Sequence, residues 1–169
     1  SSDLKTIAMF AWMPYLGADF GSLIGGFVSA YLIRRGFSII TARKLAMAIF
    51  ASMMPVAIAA VRAESPYVAI LFITVATTAH QAWAASLLTL PADLFPRRAV
   101  ASAYGLTGMC GMLGSALFSP IVGRIVDSIG YVPVFTLVGF LHPVAATIIV
   151  VFVRPRPRGP LAGVLVRPV

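Results

Sequence analysis

Charge is what this sequence has least of. Only 11% of its 169 residues are charged, against about a quarter in a soluble globular domain. Acids are the scarcer sign, with five Asp and Glu beside 13 Lys and Arg. So few charges cannot cover a water-facing surface. There is one cysteine, Cys110, inside an apolar stretch, which excludes a disulfide framework. The two histidines and this cysteine show no metal-ligand spacing. No phosphate-cradling GxxxxGK[ST] motif occurs. Gly105, Gly108, Gly111 and Gly114 lie in a hydrophobic run with no strand before it, so they do not form a nucleotide loop. No paired nucleophile and base is visible, and no enzyme activity is expected. No cleavable signal peptide is visible either.

What is present is apolar. Sixty per cent of the residues are hydrophobic, and the mean hydropathy is +0.96. Five apolar runs stand out, over 7–32, 45–61, 67–90, 99–122 and 132–153. At 1.5 Å per residue each approaches or exceeds a hydrocarbon core of about 30 Å. The runs are long and lack polar/apolar alternation, which predicts helices rather than barrel strands. The fold class is therefore an all-α membrane protein with five transmembrane helices. The second run is the shortest.

The basic residues sit between these runs, so the net charge of +8 predicts topology rather than nucleic-acid binding. Arg34, Arg35, Arg43 and Lys44 follow the first run, and Arg97 and Arg98 follow the third. Arg154, Arg156, Arg158 and Arg167 follow the fifth, in a Pro- and Arg-rich tail over 154–169 that is expected to be disordered. Ten basic residues thus fall on one side and three (Lys5, Arg62, Arg124) on the other. The positive-inside rule makes the richer side cytoplasmic, with the N-terminus outside and the C-terminus inside. An odd number of spans starting outside needs an earlier span to deliver it, and the chain opens on serine. Both features read as a piece of a longer protein.

Polar groups at membrane depth are costly and mark candidate sites. Asp19 lies in the first span, with Trp12, Tyr15, Ser22 and Gly26 within about 60° of it on a helix. It binds a proton or a substrate hydroxyl, or it hydrogen-bonds a neighbouring helix. Gly17, Gly21 and Gly25 form a different, smooth face suited to close packing. The third span carries Thr74, Thr77, Thr78, His80, Gln81 and Trp83. His80 and Trp83 are about 60° apart, whereas Gln81 and Trp83 are about 160° apart. His80 and Trp83 are thus the better pair to face a ligand, with Trp83 able to stack on a sugar. Their alternative is helix packing, with His80 bonded to a carbonyl. The glycines and Thr107 of the fourth span read first as a packing strip, and His142 of the fifth as a packing histidine. Arg124 and Asp127, three residues apart, are placed to pair.

The segment GGFVSAYLIRRGFSIITARK over 25–44 resembles the cytoplasmic loop signature between helices eight and nine of the major facilitator superfamily. The family's usual Asp there falls near Ala30. PYLGADFGSLIGG over 14–26, HQAWAASLLTLPADLFP over 80–96 and YGLTGMCGMLG over 104–114 look like the anion:cation symporter branch, most closely its hexuronate transporter group. The resemblance implies that residues 1–153 are the C-terminal half of a twelve-helix transporter without its first helix. It implies proton-coupled uptake of a sugar acid by alternating access across the inner (plasma) membrane. The partners implied are a small organic anion, the lipid bilayer and the seven preceding helices, with the proton as coupling ion and no other cofactor. The implied substrate residues are His80, Trp83, Gln81, Tyr15 and Thr107. Asp19 is the polar-network candidate, and Arg34, Arg35, Arg43 and Lys44 form the gating loop. Rival readings are a symporter for another organic anion and a non-transporting membrane scaffold. A sugar-phosphate carrier would be expected to use deep basic residues, which these spans lack.

Overall fold

The computed structural model describes residues 9–154. Ile7 and Ala8 of the first run, Lys5, and the tail beyond Arg154 lie outside the described residues. The described chain is helical throughout: α1 (Met13–Arg34), α2 (Ile39–Met53), α3 (Val56–Val61), α4 (Pro66–Leu94), α5 (Arg97–Ile129) and α6 (Val132–Phe152). Taken together α2 and α3 make one span, and five spans are long and apolar enough to cross a membrane.

Local chemistry sets the boundaries. Pro14, Pro66 and Pro133 occupy the first turns of α1, α4 and α6, where a missing N–H costs nothing. Ser38 caps α2, its hydroxyl accepting from the Thr41 N–H at 3.2 Å. The second span therefore starts at Ile39, six residues earlier than its apolar run. Arg43 and Lys44 consequently stand in the second turn of a helix. Pro55 interrupts this span, since it has no N–H to give and its ring crowds the preceding turn. The fourth span runs on to Ile129, about 50 Å of helix. Gly130, at φ 88°, ends it with a backbone conformation that other residues rarely adopt.

α4 is the central element, packed by α1 on one side and by α2 and α3 on another, with α6 closing over α2 and α3. The seam between α1 and α4 is made of small residues on both helices. Gly17 meets Thr74 and Thr78, Gly21 meets Thr78, and Gly25 meets Ala82. One turn further on, the Ser29 and Ser86 hydroxyls share a buried hydrogen bond of 3.3 Å. The contacts advance four residues at a time in both helices, so α1 and α4 run parallel. That is what the first and third spans of an alternating topology must do.

The buried core is modest: Ala46, Met47, Phe50, Ala51, Ala82, Trp83, Leu90 and Ala146 among its members. Large apolar side chains such as Phe27, Leu117 and Phe152 are more than 70% exposed. In water this surface would be prohibitive; in lipid it carries no such cost. α5 buries no residue and touches α4 and α6 sparsely.

Candidate functional site

The third span places its polar residues on two different sides. Thr74 and Thr78 turn toward α1 and return their hydroxyls to their own helix, on Ile70 O and Thr74 O at 2.8 and 2.7 Å. Thr77 donates to Pro14 O of α1 at 3.1 Å and to Thr74 O at 3.0 Å. These hydroxyls serve the helix backbones and the α1–α4 joint.

His80 and Trp83 point the other way, toward α6. Nδ1 of His80 lies 2.9 Å from Nε2 of His142. The Trp83 and His142 rings meet edge to face with centroids 5.1 Å apart. His142 also sets its Nδ1 3.3 Å from Val138 O. Trp83 is 9% exposed and belongs to the core, and its indole N–H has no partner among the described residues. His80 and His142 edge an apolar cavity of about 330 Å³ between α3, α4, α6 and the bend that joins α2 to α3, walled by residues such as Met54, Ala76, Phe135 and Val138. His142 thus packs α6 against α4, through a hydrogen bond to His80 and an edge-to-face contact with Trp83. Nothing in its own span signals this, because its partner lies two spans away.

The other sequence-predicted site residues are not brought into this cluster. Gln81 is half-buried on a flank of α4, about 160° around the helix from Trp83. Tyr15 is 76% exposed on the side of α1 that faces away from α4. Asp19 is exposed on that same side, and its backbone carbonyl accepts from Ser22 at 2.7 Å. Thr107 is exposed on α5 and donates to Ala103 O at 2.8 Å. Gly105, Gly108, Gly111 and Gly114 of the same helix face open space.

The basic residues gather at one end of the bundle. Arg34 closes α1, and Arg35 just beyond it covers the Tyr31 ring at 5.0 Å. Arg43 pairs with Asp93 at the end of α4, Nε to Oδ2 3.2 Å. Lys44 donates to Val150 O at 2.8 Å, one of the last carbonyls of α6 and without a helical partner. α2 therefore ties down the ends of both α4 and α6. At the opposite end Arg124 and Asp127 stand exposed and do not pair; the Arg124 carbonyl accepts from Ser128 instead.

No family model matches the chain. Curated proteins do. The chain is 39% identical over 158 residues to a protein named hexuronate transporter in Escherichia coli K12, and equally to that of Escherichia coli O157:H7. Each alignment takes in 92% of this chain and 36% of the relative. The chain is thus similar to one part of these hexuronate transporters. A galacturonate transporter of Dickeya chrysanthemi is 44% identical over 72 residues, 40% of this chain and 20% of that protein. The chain thus spans little more than a third of the length of the hexuronate transporters it matches. The relatives are named as transporters, in agreement with the absence of enzyme chemistry expected from the sequence. Five apolar spans make the chain a multi-pass membrane protein.

Proposed function

We infer that these five spans work as part of a secondary transporter that takes up a sugar acid, such as a hexuronate, together with a proton by alternating access. The observation that carries this reading is the 39% identity over 92% of the chain to proteins named hexuronate transporter. The packing agrees with it. One face of the bundle is tightly seamed, while the outer face of α1 and the whole of α5 remain open to further helices. Those helices are the additional length of the relatives. They complete the cavity and supply the charges that hold the substrate carboxylate.

In this reading the basic end is cytoplasmic, the N-terminal end of α1 lies outside, and the membrane is the plasma membrane. The Arg43–Asp93 pair and the Lys44 contact fasten the cytoplasmic ends of α2, α4 and α6, so these three move as one body when access alternates. The substrate is met by polar groups on the open faces of three helices, Gln81 of α4, Tyr15 of α1 and Thr107 of α5, while His80 stands on the α6 side of α4. Trp83 backs His80 from the core, and Asp19 belongs to the polar network on the open face of α1.

The test is uptake of labelled glucuronate and galacturonate by cells expressing the full-length protein. Accumulation driven by an inward proton gradient is expected, and it collapses with a protonophore. Gln81→Ala and Tyr15→Phe raise KM with little change in the amount of protein in the membrane. Uptake of neither acid, or uptake indifferent to the gradient, overturns the assignment.

A further inference from the structure

The hydrogen-bond chain between α4 and α6 has a direction that its ends decide. Val138 O can only accept, so Nδ1 of His142 carries a proton and donates to it. In the neutral imidazole the other nitrogen, Nε2, is then a bare acceptor. It lies 2.9 Å from Nδ1 of His80, which must therefore donate. This leaves Nε2 of His80 as a lone pair at the free end of the chain. His80 is also the exposed member, on the edge of the cavity.

We propose that the His80–His142 pair is a proton-binding site joining α4 to α6, which takes one proton at Nε2 of His80 and shares its charge with His142. The proton comes from hydronium in the bulk water: one O–H bond of H3O+ breaks, the N–H bond at Nε2 forms, and neutral water is left. Neutral, the pair offers an acceptor to the cavity; protonated, it offers a cationic donor. No Lys or Arg among the described residues competes for that role, since each lies within about two turns of a helix end. The cavity residues that face the pair from the α2–α3 bend, α3, α4 and α6 carry no charge. The one other polar group there, the Thr77 hydroxyl, is spent on Pro14 O and Thr74 O. No carboxylate is therefore present among them to hold a second proton on the pair. Two positive rings with centroids 5.0 Å apart would repel in an apolar wall, which limits the site to one proton. Trp83, with its ring centroid 5.1 Å from that of His142, is the aromatic neighbour within reach of the charge.

The same neighbour supplies the readout, because a protonated imidazole quenches indole fluorescence more than a neutral one. The full-length protein in detergent is titrated from about pH 8 to about pH 5, the range in which histidine changes charge. The difference between wild type and Trp83→Phe isolates the Trp83 signal. That signal is expected to fall on the acid side along a single-proton curve, and to lose the fall in His142→Gln and in His80→Gln. A flat Trp83 signal, a two-proton curve, or a fall retained in either Gln variant overturns the proposal. If His142→Gln does not fold, His80→Gln decides alone, since its side chain stands at the exposed edge. No sugar acid is present in this titration, so its failure leaves the transport reading standing, and the failure of uptake leaves the titration interpretable.

Discussion

A methyl group added to Gly21 has nowhere to go. Its Cβ would press on the carbonyl carbon and oxygen of Thr78, and at 2.9 Å from the carbon it is about half an ångström inside ordinary contact. The obstacle is backbone, so no rotamer change relieves it; α1 and α4 must part. Parting loosens the neighbouring contacts at Gly17 and Gly25 and stretches the Ser29–Ser86 bond, all in the same seam. Overpacking of a close seam costs about 1–3 kcal/mol. At roughly 2–4 °C per kcal/mol, Gly21→Ala lowers the midpoint for loss of monodisperse protein by roughly 2–12 °C. The assay is size-exclusion chromatography of the full-length protein after heating in detergent.

Gly17 provides the internal control. There the added carbon meets chiefly side-chain atoms, Thr78 Oγ1 at 2.7 Å and Thr74 Cγ2 at 2.8 Å. Combining Gly17→Ala with Thr74→Ala and Thr78→Ala removes both obstacles and recovers most of the loss. The same two threonine changes do not recover Gly21→Ala. Equal rescue at the two positions, or a neutral Gly21→Ala, would refute the geometry of the seam.

Ser29 and Ser86 are fully buried and bond only each other across that seam. Either single change to Ala leaves one hydroxyl unsatisfied at about 1–3 kcal/mol, while the double change is nearly neutral; a double-mutant cycle on the same heated samples reads the difference. Arg43 and Asp93 are partly exposed, so Asp93→Asn costs stability only about 0.2–1 kcal/mol. Its larger effect is expected on transport rate, as a split in which kcat changes and KM does not, measured by uptake at saturating and subsaturating substrate.

The five spans and their alternating basic ends were legible in the sequence because lipid imposes them locally. A run of apolar residues long enough to cross has few alternatives, and each loop states its own charge. The packing face of Gly17, Gly21 and Gly25 was legible for the same reason, since helical spacing alone lines them up. Span ends were read less well where a cap or a proline overrode hydropathy, as at Ser38 and Pro55. The candidate site divided along this line. His80 and Trp83 shared a helix face by spacing, and the structure keeps them together. Tyr15 and Thr107 joined them only through the resemblance, with Asp19 as a separate polar-network candidate, and the structure sets all three on other faces of the bundle.

The sequence by itself therefore determined five runs long and apolar enough to cross a membrane, basic residues at alternate ends of them, and which helix faces are smooth or polar. Those properties depend on residues within one helix and on the solvent around it. The tertiary structure decided which faces meet. It set α1 against α4 through glycines and threonines, brought Arg43 to Asp93 and Lys44 to the end of α6, and joined His80 to His142 beside Trp83. These are relations between helices far apart in the chain. No local pattern encodes them, because they exist only once several helices pack at one depth.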